Sequence, residues 1–168
     1  MTIDFSRYDP TFSYTGQKKF DCEHEDINKF VHDSLKSQIR KGLSIGYVLT
    51  DSAQNKRFVG FFTIAQHSIG LPLLQSLALG SLPKQIPCTR LIMLGVDKDY
   101  KGHNLGKQLM KEAFIATKRA AQSVGSFGIY LDADTKAVSF YQKLGFKLLQ
   151  GDLSPAPSPM FLPKDGIP

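Results

Sequence analysis

Between Val96 and Lys107 the chain reads Val96-Asp97-Lys98-Asp99-Tyr100-Lys101-Gly102-His103-Asn104-Leu105-Gly106-Lys107, a stretch whose residue types suit the grip of a phosphate. An apolar run leads into it and a helix-forming run leads out, so it is the turn between a strand and a helix. The first N–H groups of a helix have no intrahelical partners and carry partial positive charge, so an anion placed there accepts hydrogen bonds from them. Gly102 and Gly106 remove side chains that would hold such an anion off the backbone. Lys101 and Lys107 add charge beside it, His103 lies between them, and Asn104 is a residue type that tolerates a left-handed backbone. The spacing is not a dinucleotide fingerprint, and the lysine–hydroxyl ending of a Walker loop is missing. Taken alone, the stretch is equally a plain strand-to-helix connection.

The other polar chemistry is sparser. Cys22 and Cys88 stand without Cys/His ligand spacing, which argues against a metal site and fits thiols kept reduced in a cytosol. Lysine plus arginine outnumber aspartate plus glutamate by 21 to 15, a net charge of +6. That excess favours a polyanionic partner such as a coenzyme, a nucleic acid or an acidic protein. Lys29, Lys36 and Arg40 fall close to one line on an expected helix and, with Lys84, are candidates to touch nucleic-acid phosphates. An ordinary solvated helix face accounts for the same line. No apolar run approaches the ~20 residues that span a bilayer, and the N-terminus lacks the basic start and apolar core of a secretory signal.

These residues must be positioned by elements that the pattern also marks. Ile27, Phe30, Val31, Leu35 and Ile39 recur at three- and four-residue steps, which predicts one amphipathic helix over 23–41, capped by Asp21 and stopped at Gly42. Residues 44–50 and 58–69 predict an antiparallel hairpin, and residues 1–20 an initial strand and its approach. Residues 70–87 form a proline-containing connection with a short helical turn near 73–79, a candidate substrate-facing loop. Cys88 to Val96 is nearly continuous in apolar residues and predicts a central strand buried on both faces. A long helix over 105–124 follows, with Leu105, Leu109, Ala113, Ala116, Ala120 and Val124 along its inner side. A strand over 127–131, a helix over 135–144 ended by Gly145, and closing strands at 146–149 and 159–162 around a 151–158 loop complete the chain. The expected fold is α/β (α+β): one domain over 1–168, with a mostly antiparallel mixed central sheet flanked by helices and one strand–turn–helix crossover at its centre.

The residues of the turn and of a second segment carry a resemblance. Lys101-Gly102-His103-Asn104-Leu105-Gly106 is similar to the coenzyme-binding motif of the GNAT acetyltransferase superfamily, Gln/Arg-x-x-Gly-x-Gly/Ala, with Lys101 in place of Gln/Arg and Asn104 in place of the first glycine. Downstream, Asp134, Ala137, Phe140, Tyr141, Gly145 and Phe146 resemble the family's N-x-x-A-x-x-F-Y-x-x-x-G-F signature, with Asp134 where asparagine is usual. A narrower resemblance is to the acetyltransferase toxins of toxin–antitoxin modules. Phe20-Asp21-Cys22 is similar to their Phe-Asp-Cys-Gly, with Glu23 replacing the glycine. Val59 to Ala65 resembles their Val-Gly-Tyr-Tyr-Thr-Leu-Ala strand, and Met93 stands where they carry arginine.

The family likeness implies a GNAT-like sheet and transfer of acetyl from acetyl-CoA to a primary amine, without a metal. It implies that backbone groups of Leu94 and Val96 hold the pantetheine arm, that the 101–107 turn holds the diphosphate, and that Asp134 and Phe140 lie at the coenzyme. Tyr141 then becomes the candidate general acid, because a phenol of ordinary pKa ~10 is protonated at neutral pH and can donate to the departing thiolate. Without the signature, Tyr141 reads as an aromatic packed beside Phe140. His67, His103, Asp97 and water remain open as general base. The toxin likeness implies an aminoacyl-tRNA acceptor, an antitoxin partner and a homodimer. A small amine, a protein terminus or lysine, and a non-catalytic coenzyme- or antitoxin-binding fold are the competing readings.

Overall fold

A computed structural model describes residues 1–149 and 157–168, so most of the expected 151–158 loop lies outside the described residues. The chain begins with β1 (Ile3–Arg7), followed by a 3-10 turn (Gln17–Lys19), α1 (Glu25–Asp33) and α2 (Leu35–Arg40). Next come β2 (Ile45–Asp51), β3 (Arg57–Gly70), α3 (Leu71–Leu74) and β4 (Gln85–Val96), then a 3-10 turn (Lys98–Tyr100) and α4 (Leu105–Ser123). The chain closes with β5 (Gly128–Ala133), a 3-10 turn (Thr135–Ala137), α5 (Val138–Lys143), β6 (Lys147–Leu148) and β7 (Ser158–Pro163). The strands form one mixed sheet in the order β1-β2-β3-β4-β5-β7-β6. β1–β2, β2–β3, β5–β7 and β6–β7 are antiparallel, and β4 pairs parallel with β5, as a crossover through α4 requires. The fold class expected from the sequence is the one observed.

The chain forms two compact units, one of residues 1–65 and 92–113, the other of 66–91 and 114–168, so β3, β4 and α4 each contribute to both. In the first unit the sheet is covered on two faces. Val48 and Phe61 face each other in register and join Tyr8, Phe20, Val31, Leu35 and Phe58 in one core. Gly46 lies on that same face, where an added Cβ would sit 3.1 Å from Ile39 of α2, so the helix packs directly on the strand backbone. Gly60 points the other way, toward Leu109 of α4. In the second unit Ile69, Leu74, Ile86, Cys88, Tyr130, Leu149 and Phe161 form the core; the Phe114 ring stacks on Phe146, and Tyr141 meets Phe146 edge-on. Gly128 is required by closeness alone, since a Cβ there would lie 2.3 Å from the Leu162 carbonyl oxygen.

The structure corrects several sequence expectations. The single helix over 23–41 is two, broken at Ser34, whose φ of −125° and ψ of −29° leave the helical range. Asp33 and Ser34 are weak helix formers because their side chains compete for backbone groups. Lys29 therefore sits on α1, and Lys36 and Arg40 on α2. Asp21 does not cap α1; the His24 side chain accepts the Ile27 N–H instead. Gly42, with φ +74°, does end α2, its N–H going to Ile39 and that of Leu43 to Gln38. β4 starts earlier than expected, and Ile92, Met93, Leu94 and Val96 are only half-buried, so its C-terminal half is not sealed on both faces. Val124 is exposed beyond the end of α4. The 135–144 helix is a 3-10 turn leading into α5, and Gly145 (φ +106°) follows it as expected.

Candidate active site

The turn after β4 is built by one buried carboxylate. Asp97 is 2% exposed and accepts the Asp99 N–H at 2.9 Å, the Asp21 N–H at 3.1 Å and the Arg57 guanidinium at 3.4 Å. Its own N–H goes to the Val59 carbonyl. A carboxylate engaged by three donors is a structural hub that ties Asp21, Arg57 and Asp99 together. Arg57 also pairs with Asp99 at 2.8 Å and lies over the Tyr100 ring. Tyr100 in turn donates to Asp51 at 2.7 Å. Sequence reasoning missed this network because Asp97 lies 40 residues beyond Arg57, and Tyr100 lies 49 beyond Asp51; an aspartate ending an apolar strand was its one visible sign.

Beyond that hub, Lys101, Gly102, His103 and Asn104 are all exposed, and the chain enters α4 at the buried Leu105. Gly102 has φ +85° and Asn104 φ +58°, both left-handed. The asparagine that departs from the glycine motif thus occupies a conformation that asparagine tolerates. An added Cβ at Gly102 would meet no atom within 4 Å, so the glycine serves backbone shape and leaves open space over the turn. The Asn104 carbonyl accepts the Gln108 N–H, which makes Asn104 the start of the helix and leaves the N–H groups just after it outside the intrahelical ladder. Gly106 is half-buried and Lys107 exposed on that first helical turn. Backbone curvature, open space and the helix end all suit a diphosphate.

One expected contributor is differently engaged. Lys101 is ion-paired with Glu23, which is itself at φ +66°. Lys98 pairs with Asp21 at 3.1 Å. The Glu23 N–H, the Asn28 amide and Lys98 together hold the Asp21 carboxyl down at about 2. The segment before α1 is thereby stitched to the turn, and the Cys22 sulfur packs over Gly95, where an added Cβ would lie 3.2 Å away.

Leu94, Val96 and the 101–107 turn all belong to the first unit, whereas Asp134, Phe140 and Tyr141 belong to the second. Tyr141 is 9% exposed and lies edge-on to Phe140 and Phe146, at 5.2 and 5.5 Å between centroids. Burial, with a smaller contribution from the Asp134 carboxylate, pushes its phenol up to about 12. Asp134 is exposed and its carbonyl accepts the Ala137 N–H, starting the turn into α5. His103 is exposed in the turn, and His67 is stacked on Tyr130 at 5.0 Å. Of the candidate phosphate-contacting residues, Lys36 and Arg40 line one groove of about 990 Å³ in the first unit, with Lys18, Lys19, Lys41 and Asp33. Lys29 is exposed but outside that groove, and Lys84 belongs to the other unit. Among the described residues no cluster of His, Cys, Asp or Glu is placed to hold a metal ion, and no helix is long and apolar enough to cross a membrane.

Residues 47–148 match the acetyltransferase (GNAT) domain family, from β2 through the turn to the end of the Tyr141 signature. The chain belongs to this family. The acetyltransferase is 26% identical over 136 residues to a tRNA-acetylating toxin of Mycobacterium tuberculosis, covering 76% of this chain and 82% of that one. It superposes on the crystal structure of a bacterial toxin with a TM-score of 0.92 and 33% identity, over 97% of this chain and 91% of the other. A second similar structure is AtaT complexed with acetyl-methionyl-tRNAfMet, with a TM-score of 0.85 and 25% identity over 97% and 95% of the two chains. The acetyltransferase is accordingly an enzyme that moves acetyl from acetyl-CoA to a primary amine.

Proposed function

We propose that the acceptor is the α-amine of an aminoacyl-tRNA and that the protein acts as a translation-blocking toxin. In this reading it works in the cytoplasm as a homodimer of single-domain chains spanning residues 1–168, and an antitoxin protein restrains it. The observation that carries the reading is the groove between the Gln17–Lys19 turn and α2, where Lys18, Lys19, Lys36, Arg40 and Lys41 face one acid, Asp33. A phosphate backbone is the kind of ligand that so uneven a balance suits. Of the relatives named above, one is a tRNA-acetylating toxin and another is held with acetyl-methionyl-tRNAfMet.

The residues divide the work by chemistry. Amides at the start of α4, with Gly102 and Asn104 curving the backbone, receive the coenzyme's diphosphate. The family resemblance assigns Leu94 and Val96 to the pantetheine arm, through main-chain hydrogen bonds, and Asp134 and Phe140 to the coenzyme. Acetyl-CoA supplies an activated thioester. Tyr141, kept protonated by its burial, delivers a proton to the departing thiolate. The amine of an aminoacyl ester needs no strong base, so positioning supplies much of the acceleration.

The test is transfer of labelled acetyl from acetyl-CoA to charged tRNA, polyamines and peptides. Label on charged tRNA that declines steeply with added salt is expected, with Lys36→Glu and Arg40→Glu weakening the reaction further. Label confined to polyamines or peptides overturns the reading.

A further inference from the structure

A second polar cluster lies in the second unit, on the neighbouring strands β3, β4 and β5. Arg90 and Tyr130 are register partners across the parallel pair. The Tyr130 hydroxyl donates to Asp132 at 2.8 Å, and Arg90 reaches the other oxygen of the same carboxylate at 3.3 Å. The His67 ring, from β3, stacks on Tyr130 at 5.0 Å. Central parallel strands normally present apolar side chains, and the neighbours here comply: Ile86, Cys88 and Phe161 are buried around Tyr130. An arginine and an aspartate among them break the local pattern, which functional sites do more often than structural ones.

The pair is also incompletely satisfied. Arg90 Nε is buried without a hydrogen-bond partner, one of two such side-chain atoms among the described residues. Yet the Arg90 and Asp132 side chains are 38% and 29% exposed, so a ligand can reach them. Asp132 stands near the C-terminal end of β5, the end at which parallel strands of open α/β sheets hold their ligands. From there the chain runs through Ala133 and Asp134 into the segment that carries Tyr141.

We infer that Arg90, Tyr130 and Asp132, roofed by His67, read the head group of the acceptor: Arg90 takes the carbonyl oxygen beside the amine, and Asp132 takes an amine N–H. This rests on the aminoacyl reading above. A neutral α-amine next to an ester carbonyl presents one donor and one acceptor, which this carboxylate and guanidinium complement. Burial first, and Arg90 second, keep the His67 pKa below its usual value, so the ring is uncharged at neutral pH and does not repel an amine.

The experiment compares two small acceptors, an α-amino acid methyl ester and the matched primary amine without the carbonyl, at saturating acetyl-CoA. Wild type should favour the ester at least tenfold in kcat/KM. Arg90→Gln should raise the ester's KM about tenfold or more, as loss of a hydrogen bond from a charged group implies, while the KM for acetyl-CoA stays within twofold. Arg90→Lys, which keeps charge and bulk, guards against misfolding and should lose most of the preference too. Asp132→Asn should raise the KM of both acceptors. Wild type without the preference, no turnover of the ester, or variants that weaken both acceptors and acetyl-CoA alike would overturn the inference. Labelled charged tRNA without ester preference removes this site and leaves the tRNA reading intact. Ester preference without labelled tRNA does the reverse.

Discussion

Glu23 and Lys101 are ion-paired; Glu23 stands where the toxins it resembles in sequence have glycine, and Lys101 where the GNAT superfamily motif has Gln/Arg. The two departures are therefore physically linked. Glu23 accepts a left-handed backbone (φ +66°) that glycine would adopt without strain, and its carboxylate meets Lys101 at the turn before α4. In the coenzyme placement proposed above, an arriving diphosphate competes with Glu23 for Lys101.

Glu23→Gly should release Lys101 and tighten acetyl-CoA binding by severalfold at low salt, with the gain fading at high salt because the pair is exposed. Stability should change by less than about 1 kcal/mol, since relief of the left-handed backbone offsets the entropy glycine adds to the unfolded chain. Calorimetric titration and thermal melts check both. Weaker coenzyme binding in Glu23→Gly would show that the carboxylate helps the turn rather than competing with its ligand.

Tyr141→Phe should lower kcat by about 10²–10⁴-fold while acetyl-CoA affinity stays within a few-fold, because only a proton donor is lost. A phenol pushed up to about 12 remains protonated well above neutrality, so wild-type kcat should show no alkaline decline from this group below about pH 10. Steady-state kinetics across pH read both effects. Equal kcat in the two proteins would leave Tyr141 a packing residue.

Gly102→Ala should cost about 1–2 kcal/mol, although an alanine Cβ meets nothing, because φ +85° is disfavoured for any side chain. Asn104→Gly should be neutral to stabilising, and Asn104→Val clearly destabilising, since a β-branched residue fits φ +58° worst. Denaturant unfolding gives the ranking. A harmless Asn104→Val would mean that the turn relaxes out of the left-handed conformation.

Asp21 supplies a pH signature. Its folded pKa of about 2 lies below the usual 3.8, so its contribution to stability is present above the unfolded value and is lost as pH falls from about 4 toward 2. Asp21→Asn should therefore lower the thermal midpoint at neutral pH and flatten its dependence across that acid window. Parallel slopes in wild type and variant would place the acid sensitivity elsewhere.

Local patterns made much of this readable. The hairpin of β2 and β3, the continuous apolar run of β4 and the stripe of α4 announced a sheet with one crossover. The glycine-containing turn and the Tyr141 segment carried the family resemblance. Alternation and three- to four-residue periodicity act within one element, so one chain suffices to show them. The break at Ser34 was harder to see, because the apolar period runs through it and only the low helix propensity of Asp33 and Ser34 opposes it.

The amino-acid order by itself determined which segments bury themselves, which backbone positions tolerate a left-handed turn, and which family's signatures the chain carries. Tertiary structure alone decided that Asp97 gathers Asp21, Arg57 and Asp99 around one carboxylate, that Lys101 pairs with Glu23, and that Arg90, Tyr130, Asp132 and His67 share one patch of sheet. Those facts depend on contacts between residues some 40 to 80 positions apart. The contribution of a charge is set by what the folded chain brings within a few ångströms of it and by how much water it excludes, and neither is written in the spacing of residues along the chain.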